Sequence, residues 1–288
     1  MRRFALLAGL VLGLGSLVVS AQKTPPMDVS GLLSRLADSV VAYYARAQSI
    51  ICDESVVLQS LGNDLMGDSS PGRRLLYELR VSWEPPAGGG VPEANVLRSL
   101  LRVNNRAPRE KDKDACMDPK PISAEPLAMF LPQNQPDYMF VAAGRGKVNG
   151  RAALMVDYRS RTVGRVSSTR KDDCFSIELP GRTRGRVWLD EATADVLRLD
   201  ERLTGMVDVV LPPDPKHRGS VAETMTVERL DSSIVYRRVV FTDPDESVML
   251  PASKDAVTVV RNAGTPRLRT TQSFRNYRRF MTGGRIVQ

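Results

Sequence analysis

Two hydrophobic periods, changing once along the chain, constrain this sequence more than any other feature. Leu32, Leu33, Leu36, Val40, Val41 and Tyr44 recur at steps of three and four, while Ser34, Arg35, Asp38 and Arg46 take the opposite side. That spacing predicts one amphipathic helix over 29–47, with Asp28 or Ser30 able to cap its start. From Ser49 onward the apolar residues fall at every second position in short runs bounded by Gly, Pro, Asn or Asp. Such alternation gives a strand one apolar and one polar face. Aromatics make up only 6% of the 288 residues, and 21 Gly and 19 Pro interrupt the aliphatic runs, as many turns require.

Strands are expected at 51–61, 75–83, 96–103, 138–148, 151–159, 186–189, 196–203, 222–230, 234–242, 256–261 and 267–274. The firmest local signal is Asn149-Gly150 between two alternating runs, because both residues accept the positive φ of a two-residue hairpin turn. On the returning strand Ala152, Leu154, Val156 and Tyr158 point one way, and Arg151, Asp157 and Arg159 are among those pointing the other. The segment 185–201, GRVWLDEATADVLRLDE, reads as a second hairpin with a polar turn at 190–194. The fold class is mainly β (α+β): a curved antiparallel sheet, a half-barrel, wrapped around one long N-terminal helix. No repeat or shift of composition divides residues 22–288, which are taken as a single domain.

Residues 1–21 read as a signal peptide: Arg2 and Arg3, an uncharged apolar run over 4–19, and Val19-Ser20-Ala21 as the cleavage signal, with cutting expected after Ala21. The run is shorter than the roughly 20 residues of a membrane-spanning helix, so no span is expected after cleavage. The chain is therefore addressed to the periplasm or beyond. Its 39 remaining basic residues against 33 acidic ones leave a formal charge of +6. Outside the cytosol such a surface meets lipopolysaccharide phosphates, anionic lipids or acidic polymers, and nucleic acid is not an expected partner.

An oxidising compartment suits one disulfide among the three cysteines. Cys116, in a polar Pro-rich stretch that needs pinning, is paired with Cys174, which follows a charged turn at 170–173. Cys52, inside an apolar run, reads as a buried thiol, although its pairing in place of either partner stays open. Spacings and a single histidine, His217, exclude a Cys/His metal site. His217 sits between Lys216 and Arg218 in a loop, and no Gly-x-Ser-x-Gly elbow accompanies it. Gly144-Arg145-Gly146-Lys147 lacks the spacing of a phosphate loop and is expected to end or twist a strand. Asp53 with Glu54, and Asp190 with Glu191, are adjacent and diverge on a strand. Asp190 has a simpler role as a turn former. No catalytic residue, metal or cofactor is assigned, and Trp83 and Trp188 are read as packing residues.

A signal peptide, one amphipathic helix, an immediate strand and then successive hairpins resemble the periplasmic half-barrel superfamily that includes the lipoprotein carrier LolA, its receptor LolB and the sensor-regulator RseB. The segment 185–201 and the ending from Leu250-Pro251 to Asn276-Tyr277-Arg278-Arg279-Phe280 carry the resemblance. It implies a non-enzymatic binding protein that holds an acyl chain, lipid or lipoprotein on the concave apolar side. Leu36, Val40 and Tyr44 of the helix and Leu154, Val156, Leu197 and Leu199 of the sheet are the expected lining. The alternative is a sensor or scaffold whose groove is closed and whose basic outer face, with Arg267, Arg269 and Arg275, docks an envelope protein or lipopolysaccharide. A carboxylate-dependent hydrolase is the third possibility and would need two converging acids with displaced pKa values.

Overall fold

The computed structural model describes residues 28–47, 49–84, 93–112, 116, 118, 125–171, 174–213, 222–262 and 267–279. The signal segment and His217 lie outside these. Helix α1 spans Val29–Arg46. The Asp28 side chain caps it, accepting from the Gly31 N–H at 3.1 Å, which satisfies one of the donors a helix start leaves open. Just past its end Ser49 takes φ 56° and turns the chain into the first strand. The helix buries Leu32, Leu36, Val40 and Tyr44 of the expected stripe, together with Ala37, while Val41, placed in that stripe from the sequence, is exposed.

Thirteen strands follow: β1 Ile50–Ser60, β2 Arg73–Glu84, β3 Glu93–Val103, β4 Tyr138–Val148, β5 Arg151–Ser160, β6 Ser167–Lys171, β7 Cys174–Glu178, β8 Thr183–Asp190, β9 Val196–Leu203, β10 Val207–Leu211, β11 Glu223–Thr242, β12 Asp245–Arg261 and β13 Arg267–Arg279. Eleven form one curved antiparallel sheet in the order β3-β2-β1-β13-β12-β11-β9-β8-β5-β4, with β10 added to the end of β11. β3 and β4 are its two edges, so the sheet stays an open half-barrel. β6 and β7 make a separate hairpin. Asn149 and Gly150 turn β4 into β5 with φ of 49° and 82°, the positive values that the Asn-Gly pair accommodates.

One expectation changes. The stretches 222–230 and 234–242 are one 20-residue strand, β11, because 231–235 pairs on both sides, with β9 and β12, and pairing overrides the turn preference of Asp231-Ser232-Ser233. Lys171 and Cys174 are the last pair of the β6–β7 hairpin, in keeping with a charged turn at this point of the chain. The Gly144–Lys147 motif twists its strand as expected: it lies inside β4, where a bulge between Ala142 and Gly144 gives Gly144 φ 98°.

One apolar cluster joins α1 to the sheet through Val156, Tyr158, Val187, Leu189, Leu199, Ile234, Tyr236 and Leu250. A short 3-10 segment, Glu125–Phe130, adds Leu127, Met129, Phe130 and Leu131 to the same core. Phe130 packs edge-on against Tyr158 at 6.1 Å. The Gln135 side chain donates to the carbonyls of Phe130 (2.8 Å) and Leu33 (3.3 Å), tying this segment to the helix. A second cluster, Leu203, Val207, Val209, Leu211, Met225 and Val227, packs against Ile177 and Leu179 at the end of the β6–β7 hairpin.

Candidate functional site

The seven residues expected to line a ligand groove are brought together in the main core. None is more than 7% exposed. Leu36, Val40 and Tyr44 face the sheet from α1, while Leu154, Val156, Leu197 and Leu199 come from β5 and β9. A small apolar cleft of about 30 Å3 lies near the end of α1, between Tyr43, Ala47, Ile50, Cys52, Trp83 and Tyr277, and is lined by none of the seven. Its thiol, Cys52, is unpaired and buried. Burial, with Glu54 and Asp53 adding repulsion, pushes it up to about 12. A wider cavity of about 390 Å3 lies between α1 and the helix-facing side of β11 and β12, where it meets Val40, Tyr236 and Met249, and is of mixed polarity, with Arg35, Asp38, Asp195 and Arg238 in its wall.

Further along β1 the helix-facing side carries a buried polar network. Glu54 is fully buried and accepts two hydrogen bonds from Arg98 of β3, at 2.8 and 2.9 Å. Gln272 of β13, 1% exposed, donates a third at 2.6 Å. The Arg98 guanidinium lies 3.6 Å from the centre of the Tyr77 ring, and the Tyr77 hydroxyl donates to Asp118, which also holds Arg73. Asp118 stands two residues from Cys116, whose bond to Cys174 is formed as expected from the sequence. Nearby, burial lowers the Lys254 ammonium and raises the Glu201 carboxyl, each pushed toward its neutral form.

The paired acids do not converge. Asp53 and Glu54 leave β1 on opposite faces, and Asp53 bonds to Asn276. Asp190 accepts from the Ala192 and Thr193 N–H groups at 3.0 Å each, the turn-forming role expected of it. Glu191 pairs with Arg145 at the surface. No group of three or more His, Cys, Asp or Glu among the described residues is arranged to hold a metal, and no described helix is long and apolar enough to cross a membrane.

A larger cavity than either lies elsewhere. On the sheet face away from α1, a groove of about 700 Å3 crosses β4, β5, β8, β9, β11 and β12. Strand alternation puts it there: where Val156, Val187 and Leu199 point into the core, their neighbours Asp157, Arg186, Trp188, Arg198 and Asp200 point out. Arg186 clamps Asp157 through two bonds. Arg198 clamps Asp200 likewise and lies 4.8 Å from the Trp188 ring. Trp188 is half-buried, consistent with the packing role read from the sequence. Arg159, Arg184 and Arg202 line the same groove, exposed. Of the basic residues named from sequence, Arg269 is neutralised by Asp255, and none of Arg267, Arg269 and Arg275 lines the groove. Alternation alone showed which way Arg159 points; the neighbours it meets depend on register, which a bulge at Trp188/Leu189 shifts.

No family model matches the chain, and no curated protein matches it. Similar solved structures include a domain from Vibrio parahaemolyticus provisionally described as outer membrane lipoprotein-sorting, 13% identical with TM-score 0.42, over 88% of this chain and 94% of that one. A LolA superfamily protein from Nitrosomonas europaea is 6% identical with TM-score 0.36, over 87% and 94%. MucB in complex with MucA from Pseudomonas aeruginosa is 9% identical with TM-score 0.23, over 83% and 93%. The LolA group is the one that the sequence resembles.

Proposed function

We propose that this protein is a non-catalytic binding module of the bacterial envelope that docks an anionic partner through the outer face of its sheet. One observation carries the proposal: the expected apolar lining is packed against the protein's own helix and 125–131 segment, whereas the outer face holds a 700 Å3 groove bordered by arginines. A disulfide between Cys116 and Cys174 supports export to an oxidising compartment. Lipopolysaccharide and an acidic envelope protein both have the required charge. Binding to immobilised lipopolysaccharide should weaken by an order of magnitude or more between about 50 and 300 mM salt, as contacts between exposed charges do. Absence of binding, or binding indifferent to salt, contradicts the proposal.

The alternative occupant is an acyl chain between α1 and the sheet, favoured by the continuity of the apolar lining from Leu154 and Val156 to Leu197 and Leu199. The space open to it between α1 and the sheet is the 390 Å3 cavity beside Val40 and Tyr236, whose wall carries Arg35, Asp38, Asp195 and Arg238, charged groups that an acyl chain would leave poorly hydrated. Native mass spectrometry of protein taken from its own envelope distinguishes the two: a bound lipid mass supports the acyl chain, and a bare chain opposes it.

A further inference from the structure

Strand register sets side chains in rows across the outer face. One row runs Met139, Arg159, Arg184, Arg202, Asp231 over β4, β5, β8, β9 and β11. Three arginines therefore stand directly opposite one another on adjacent strands, within about 10 Å at the ordinary strand spacing of ~4.8 Å. None of them has a carboxylate within ion-pair distance among the described residues. The acids that could serve are already held: Asp157 by Arg186, Asp200 by Arg198, Asp231 by Arg229. Like charges placed directly opposite destabilise a sheet, so this row opposes folding and calls for an explanation other than stability.

We propose that Arg159, Arg184 and Arg202 form a binding site for a phosphomonoester, with the adjoining groove receiving the group that carries the phosphate. This rests on the docking role of the outer face and names its ligand chemistry. A phosphomonoester near neutral pH carries about 1.5 to 2 negative charges and three acceptor oxygens. Lodged between neighbouring arginines, it accepts from both at once. A single carboxylate is used up by one guanidinium fork. The other wall of the groove is electrically balanced, since Asp157, Asp200, Asp231 and Asp255 each have an arginine partner. A hydroxyl-bearing, uncharged carrier suits that wall and the half-buried Trp188 ring at its floor better than a second charged group. The chemistry is that of a phosphorylated sugar or a similar headgroup.

Titration calorimetry with glucose 1-phosphate, against glucose and glucuronate, tests this. Glucose 1-phosphate should bind at least about tenfold more tightly than either control, and Arg184→Thr should weaken it at least about tenfold. The same substitution should raise the melting temperature of the ligand-free protein, because the centre of the row loses two like-charged neighbours. Should Arg184→Thr fail to fold, Arg202→Thr at the end of the row carries the same expectation, and Arg275→Thr, outside the groove, should leave binding unchanged. Co-sedimentation with phosphatidic acid vesicles runs in parallel. Binding that depends on Arg184 assigns the phosphate to a lipid, and binding of glucose 1-phosphate alone assigns it to a soluble ligand. Equal binding of glucuronate, indifference to Arg184→Thr, or absence of both phosphate probes overturns the site. Lipopolysaccharide bound equally by the parent and Arg184→Thr proteins refutes this site and leaves the docking role standing; glucose 1-phosphate bound without lipopolysaccharide does the reverse.

Discussion

Replacing Glu54 should cost far more than its single ion pair suggests. The carboxylate is fully buried and accepts three hydrogen bonds, two from Arg98 and one from Gln272. Its partner Arg98 is itself only 13% exposed in its side chain. Glu54→Ala therefore leaves a guanidinium in a poorly hydrated interior without that carboxylate. Removing one member of a buried pair costs about 3–5 kcal/mol. For a chain of this size 1 kcal/mol moves the melting temperature by roughly 2–4 °C, so a fall of about 6–20 °C is expected. The triple variant Glu54→Met, Arg98→Met, Gln272→Leu removes the polar groups together and should recover most of the loss, since apolar replacements of buried pairs are often neutral or stabilising. Thermal and urea unfolding followed by circular dichroism measure both. A single-variant cost below about 1 kcal/mol, the range of an exposed pair, refutes the reasoning. So does a triple variant as unstable as the single one.

The Cys116–Cys174 bond closes a loop of 58 residues, so Cys174→Ser should lower stability by about 4 kcal/mol on the chain-entropy model; amide exchange should rise first in the β6–β7 hairpin. Cys52, with its thiol pushed up to about 12 by burial, stays protonated at pH 8 and should resist iodoacetamide until the chain unfolds. Rapid labelling of the native protein would place Cys52 outside the core.

How much of this was legible in sequence depended on how local each signal was. The α1 stripe and the Asn149-Gly150 turn are decided within one or two turns of chain, and they formed where the pattern put them except at Val41, which stays exposed at the stripe's margin. β11 was read as two strands because Asp231, Ser232 and Ser233 are turn formers, yet they have partners on both sides in β9 and β12. The long Pro-rich stretch over 106–136 hid the run Leu127, Ala128, Met129, Phe130, Leu131, whose apolar density was the available hint that part of it packs inside. The arginine row lay beyond sequence altogether. Each arginine belongs to an alternating strand, but their adjacency depends on the registers of β5, β8 and β9 together.

Fixing α1 to the sheet tests most directly whether the concave face is closed and the outer face does the binding. Ser39 of α1 donates to Asp195 at 3.2 Å, so Ser39→Cys with Asp195→Cys, joined by a short thiol-reactive cross-linker, holds the helix down. Palmitate and lipopolysaccharide binding would then be measured on the locked and parent proteins. Equal lipopolysaccharide binding by both, with palmitate taken up by neither, is the expected result. Palmitate bound by the parent and refused by the locked form would contradict it.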